Sequence, residues 1–220
     1  MPLDFDLSPE QKLLRDAARE FLERPYDPAQ WQAAQQLGWA DLGQPGADGG
    51  LLEAAVVALE VGRALWPAPF VEAVARGRCE VGALLTAAQL VGVGEVAMEL
   101  TLDHVKRRHQ FGRPIGAFQA ARHRLVDMSA ELDLTRALVF KAAWLVDRRE
   151  DAQLPISQAK LSACRTAYRV LMGSHQLHGG VGYAVDHRLA GYTWARLELE
   201  GRYGDAEYHL SRIQELLDLA

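Results

Sequence analysis

Between Leu84 and Met98 the chain offers almost no polar face: Leu84, Ala87, Ala88, Leu90, Val91, Val93, Ala97 and Met98 leave no solvent-facing stripe. A surface helix keeps one polar side, so a helix over 83–109 that is apolar nearly all round in its first half must be surrounded by other helices. That single requirement places the segment inside a bundle. No apolar stretch reads as long enough to cross a bilayer.

Turn chemistry and spacing supply the partners. Ser8-Pro9-Glu10-Gln11 is a helix start: Ser8 can cap, Pro9 suits the first helical position and Gln11 can complete a capping box. Leu13, Leu14, Ala17, Ala18, Phe21 and Leu22 follow at helical spacing until Pro25. A short helix around Trp31–Leu37 stops at Gly38, and 44–50 (QPGADGG) reads as loop. Helix returns over 51–65 and ends at Trp66-Pro67-Ala68-Pro69. Further helices are expected over 117–148, with Phe118, Ala121, Leu125, Met128, Leu132, Val139, Ala143 and Val146 as the buried stripe, over 155–177, and as one or two across 187–219. No strand of convincing length appears, and the expected fold is all-α. It divides into an N-terminal helical segment, 1–78, and a C-terminal helical bundle, 79–220.

The 220 residues, 49% hydrophobic and 24% charged, suit an ordinary globular chain and exclude disordered, collagenous and coiled-coil classes. The stretch from Met1 to Asp6 has neither the basic start nor the apolar core of a signal peptide. Cys79 and Cys164 do not make a disulfide framework, so the expected compartment is the cytoplasm. Charge is uneven: residues 1–80 hold 7 basic and 13 acidic side chains, whereas Lys106, Arg107, Arg108, Arg113, Arg122 and Arg124 form a run without an acid. The chain as a whole is acidic, at −5, and no aromatic platform repeats beside that run. A contact to a phosphate-bearing cofactor therefore accounts for it better than nucleic acid does.

Other motifs carry less. Gly92-Val93-Gly94 imitates part of a dinucleotide fingerprint, but no strand precedes it, and close helix packing explains it better. His175 and His178 share a helix face without an HExxH or paired ExxH units, so no metal is expected. Ser174 beside His175 lacks a GxSxG elbow, and Cys164 reads as a small buried hydrophobe.

Two segments stand out. In 106–119 (KRRHQFGRPIGAFQ) a guanidinium, an amide and an aromatic ring meet at a helix–helix corner, a group that can hold a phosphate oxygen and stack on a flat ring. In 176–183 (QLHGGVGY) glycines allow backbone amides close to a ligand, and Gln176 offers both donor and acceptor. Each also has a plain structural reading, as a tight helical connection and as a glycine C-cap.

Together, in this order, they resemble the C-terminal helical domain of acyl-CoA dehydrogenases. The resemblance extends through 84–91 (LLTAAQLV), 118–128 and 203–213, and the N-terminal third (DFDLSPEQKLLRDAAREFLE, WQAAQQLGWADLGQPGADGG, VALEVGRALWPAPF) is similar to the same family. It implies FAD bound at a subunit interface. Arg108, Gln110 and Phe111 would contact the flavin nucleotide of a neighbouring subunit, supported by Gln119, while Gln176 and Gly180 would line its adenine or pyrophosphate side. The implied chemistry is removal of an α-proton from an acyl-CoA thioester by a glutamate, with hydride passing from the β-carbon to the flavin.

The departures define the expectation further. The family carries a β-rich middle domain, yet here Pro69-Phe70-Val71-Glu72 runs within a few residues into Gly82-Ala83-Leu84-Leu85. The family's glutamate stands in a Tyr-Glu-Gly-Thr turn, and the matching turn is Tyr203-Gly204-Asp205-Ala206. An alternative base position on the first long helix of the bundle falls on Gly82. Asp205, displaced by one residue and shorter by a methylene, is the remaining catalytic candidate, with Glu80 and Glu207 nearby. Two readings follow: a shortened subunit that works beside a full-length acyl-CoA dehydrogenase, or a non-catalytic helical oligomer assembled through the C-terminal bundle.

Overall fold

The structure, a computed structural model, describes residues 6–219. Most of the stretch read for a leader, and the last residue of the expected C-terminal bundle, lie outside that range. α1 (Pro9–Leu22) begins at the capping box read from the sequence, with Gln11 N–H donating to Ser8 Oγ at 3.2 Å and Ser8 N–H to Gln11 Oε1 at 3.0 Å. α2 (Pro28–Gln36) stops before Gly38, whose φ of 80° is left-handed. α3 (Leu51–Ala64), α5 (Cys79–Arg107), α6 (Gln119–Asp147), α7 (Gln153–His178), α8 (Arg188–Gly201) and α9 (Ala206–Leu216) make up the rest of the expected set, and 187–219 resolves as two helices.

α5 is the central rod. From Val81 to Gly94 every residue on it is buried, and α3, α6, α7 and α8 all pack against it. By length and apolar character α5 could cross a bilayer, against the expectation that no stretch could, but 94% of its most apolar window is buried in the bundle. Glycines set its closest approach. A β-carbon on Gly92 would overlap the Leu59 carbonyl, and one on Gly62 would overlap the Gln89 carbonyl, so α3 and α5 touch backbone to backbone. Gly94 is likewise covered by the side chain of Leu132. The 92–94 glycines are helix-packing residues.

Charge ties the N-terminal helices to the bundle. Glu60, 1% exposed, accepts two hydrogen bonds from Arg19 at 2.8 and 2.9 Å. Arg63 reaches Glu95 and Glu99 at 2.8 Å each, and Arg136 on α6 reaches Glu95 at 2.9 Å. Gly50 has no side chain with which to cap α3. Asp147, at the end of α6, takes the role by accepting from Leu51 and Leu52 N–H at 2.7 and 2.9 Å.

Two elements differ from the sequence reading. The Pro67–Pro69 break is followed by a short helix, α4 (Phe70–Ala75), with Phe70, Val71 and Val74 buried. The all-α expectation holds apart from a two-stranded antiparallel ladder, β1 (His109–Gln110) with β2 (Arg113–Pro114). Its loop residues Phe111 and Gly112 have φ of 53° and 76°, the double positive φ that a type I′ two-residue hairpin requires. Phe118 and Val146, expected in the buried stripe of α6, are only half-buried because they sit at the two ends of that helix. Between α3 and α5 the chain holds only α4 and its turns, so no β-domain intervenes.

Candidate functional site

Both unusual segments lie at the same end of the bundle. The hairpin leaves α5 at Arg108 and returns to α6 at Gln119, while Gln176 lies in the last turn of α7 and Gly180 just past its end. His104 on α5 stacks on His178 on α7 with ring centroids 4.3 Å apart, which joins the two ends. Arg108, Gln110, Phe111, Gln119, Gln176 and Gly180 are all exposed. Phe111, at the hairpin tip, is 91% exposed and lies edge-to-face with Phe118. Arg113 stacks over the Phe118 ring at 4.2 Å and stiffens the hairpin base. Gln176 faces an open groove of about 740 Å³ between α6 and α7, with His123, Arg124 and Tyr183 on its walls.

Glycine in the 176–183 turn has two separate causes. Gly179 ends α7 with φ of 67°, a backbone state that favours glycine. Gly180 has no positive φ, and a β-carbon there would meet nothing within 4 Å. The fold asks for no glycine at 180, and a bare backbone there leaves room for a ligand to approach.

At the other end of the bundle the two positions matched to the family's base are each covered by an aromatic ring. The Tyr203 ring fills the space above Gly82, and the Tyr208 ring, with His209, fills the space above Gly204, whose φ is 95°. Asp205 is exposed and caps α9, its Oδ1 accepting from Tyr208 N–H at 2.8 Å. The cavity left beside these residues, bordered by Cys79, Glu80, Ser157, His209 and Arg212, measures about 190 Å³. That is smaller than the roughly 300 Å³ at which small-molecule sites begin.

The turn is held from behind by a residue that sequence reasoning missed. Lys160 is fully buried and donates to the carbonyls of Glu200 at 2.9 Å and Gly204 at 3.0 Å, with Leu199 O and Cys164 Sγ both at 3.4 Å. Burial lowers the Lys160 pKa and raises that of Cys164. Cys164 is buried as expected, but it neighbours an ammonium rather than only apolar groups. A lysine at mid-helix gives no sequence signal for this role, because its acceptors come some forty residues later. Among the described residues no three of His, Cys, Asp or Glu converge in a way that could hold a metal ion.

The exposed cationic, amide and aromatic groups, with the open backbone at Gly180, fit the diphosphate and adenine part of FAD presented from outside this chain. They do not fit a complete flavin site within one chain: the ring-side wall and the carboxylate are both missing among the described residues.

The sequence profile of the acyl-CoA dehydrogenase C-terminal domain matches residues 73–217. The probable acyl-CoA dehydrogenase YngJ of Bacillus subtilis (strain 168) is 41% identical over 106 residues, covering 48% of this chain and 28% of that protein. Butyryl-CoA dehydrogenase from Megasphaera elsdenii superposes with a TM-score of 0.84 at 16% identity, covering 98% of this chain and 100% of that one. The ChsE4–ChsE5 complex from Mycobacterium tuberculosis superposes with 0.85 at 18% identity, covering 99% of this chain and 100% of that one. At 220 residues the chain is shorter than full-length members. On profile, order of motifs and fold together, it belongs to the acyl-CoA dehydrogenase family.

Proposed function

We propose that the chain is a subunit of an acyl-CoA dehydrogenase-type FAD oxidoreductase, lending its β1–β2 hairpin and its 176–180 turn to the flavin of a full-length acyl-CoA dehydrogenase partner. Bound FAD supplies a hydride acceptor for the β-carbon of an acyl-CoA thioester. This chain's own residues bind and orient: Arg108 meets phosphate oxygens, Phe111 and Gln110 meet the nucleotide, Gln119 supports them, and Gln176 and Gly180 receive its adenine or pyrophosphate side. The observation that carries the reading is Phe111, an aromatic side chain 91% exposed at the tip of the β1–β2 hairpin. An exposed aromatic beside an arginine is a typical anchor for a partner surface.

The isolated chain is expected not to dehydrogenate an acyl-CoA, since Gly82 and Gly204 supply no carboxylate. Asp205 does not substitute in this reading, because its carboxylate is engaged as the α9 cap. The same closure of the base positions favours a second reading, a non-catalytic helical oligomer assembled through the C-terminal bundle.

Co-expression with a full-length acyl-CoA dehydrogenase that keeps its glutamate separates the two. The subunit reading expects a yellow complex that acyl-CoA bleaches, with flavin content reduced by Arg108→Ala or Phe111→Asp. A colourless homo-oligomer that takes up no FAD supports the second reading. Acyl-CoA bleaching of flavin on the isolated chain, abolished in Asp205→Asn, would overturn both.

A further inference from the structure

Histidines from three elements meet at the end of the bundle that carries Arg108 and Gln176. The His104 ring, on the last turn of α5, stacks on His178 with planes inclined by 27°. His187, just before α8, lies edge-on to His178 at 4.9 Å. One turn back on α7, His175 stacks on Tyr183 at 4.8 Å and bonds through both nitrogens, to Gly182 O and Thr193 Oγ1, each at 2.8 Å.

Hydrogen bonds decide where the protons sit. A carbonyl only accepts, so His178 Nδ1 donates to Ser174 O at 2.8 Å. Leu189 N–H donates to His187 Nδ1 at 3.2 Å, which requires a lone pair there. His187 is therefore the side-chain cap of α8 through that lone pair. Protonation at Nδ1 removes that cap and sets a positive charge at a helix N-terminus.

The groups facing the stack add positive charge or can acquire it. Arg108 and His187 act on His104, while His104, His187 and His175 act on His178. Burial is the larger influence on both rings and holds each below the ordinary imidazole range, offset for His178 by its bond to Ser174.

We propose that His104, His178 and His187 are positioning residues that bind the ends of α5, α7 and α8 together, and release the Arg108 hairpin and the Gln176–Gly180 turn when the rings take up protons. The consequence for a neighbouring flavin rests on the subunit reading above, and the contact between the three helix ends does not. Because burial holds His104 and His178 below the value near pH 6.5 at which unfolded histidines titrate, their contact is at full strength above about pH 6.5 and weakens as pH falls below it.

Hydrogen exchange on the full chain, corrected for intrinsic rates, tests this between about pH 7.5 and about pH 5.5. Amides of 176–189 are expected to lose protection at the lower pH, by up to about tenfold for each ring, while those of α3 keep theirs. In the double variant His104→Asn, His187→Asn the loss should shrink to the share left by His178, since asparagine caps a helix without titrating. Unchanged protection in the parent chain, or the same loss in the double variant, overturns the proposal. Should the variant not fold, NMR titration of the parent decides: His104 and His178 titrating at or above the ordinary value overturns it, and titration below that value supports it. A yellow complex whose flavin content ignores pH while the exchange responds counts against the subunit reading and leaves the proton-sensitive contact standing.

Discussion

The aromatic ring of Tyr203 rests on Gly82, in the space that any side chain at 82 would have to enter. Gly204 is covered in the same way by Tyr208. The two places matched to a catalytic carboxylate are thus glycines, and an aromatic ring needs each of them to be glycine. Returning a carboxylate to either position requires moving a ring as well.

Gly82→Ala is expected to destabilise the chain by about 1–2 kcal/mol. Overpacking costs roughly 1–3 kcal/mol, and alanine recovers up to about 1 kcal/mol of helix propensity. Adding Tyr203→Ala should remove the overlap and recover stability relative to a simple sum of the two changes. Urea unfolding of both single variants and the double measures this, and a Gly82→Ala chain as stable as its parent contradicts the packing.

Gly92→Ala meets the Leu59 carbonyl, a backbone atom that can yield only if α3 and α5 separate. Its cost should reach the upper end of overpacking, about 3 kcal/mol. Gly180→Ala meets nothing, and should change stability by less than about 0.5 kcal/mol while lowering the flavin content of a reconstituted complex. Equal stability effects from the two substitutions would show that helix approach is not what selects glycine at 92.

Lys160→Met keeps the buried stem and removes the donor, leaving the Glu200 and Gly204 carbonyls unpaired. Each orphaned acceptor costs about 1–3 kcal/mol, and relief from burying an ammonium returns part of that, so a net loss of about 2 kcal/mol is expected. Thermal unfolding reads the loss, and faster hydrogen exchange across 199–206 locates it. A variant as stable as the parent would show that the turn holds without this lysine.

His209 is buried, donates from Nε2 to Tyr203 O at 3.1 Å, and leaves Nδ1 without a partner among the described residues. Burial lowers its pKa, so the ring stays neutral in the fold. The stability it confers is present above about pH 6.5 and is lost as pH falls through the folded value. His209→Gln, which keeps a donor and does not titrate, should make Tm less sensitive to acid. An unchanged acid branch would assign the loss to other groups, the His104–His178 stack first.

Legibility followed the range of the interaction. Ser8 and Gln11 lie three residues apart, and the α1 cap could be read directly. The burial of α5 was legible because its first half has no polar face, and Gly92 and Gly94 were readable as packing residues because no strand precedes them. α4 was missed because six residues hold too little periodicity to register after two prolines. The β1–β2 ladder was missed because a Phe-Gly loop lacks the usual Asn-Gly signal, although Phe111 adopts the same positive φ.

The sequence by itself determined the longer helices, the burial of α5, the helix–helix corner and glycine turn that carry the family resemblance, and the lack of a glutamate at 82 and 204. Only the tertiary structure decided what fills those gaps and what holds the ends together. Asp147 caps α3, Lys160 binds the carbonyls before and within the 203–204 turn, Tyr203 lies on Gly82, and His104, His178 and His187 converge. Capping and periodicity act within a few residues along the chain, so spacing reveals them. Contacts across the bundle depend on how the helices cross, and residues that meet there share no pattern until the chain has folded.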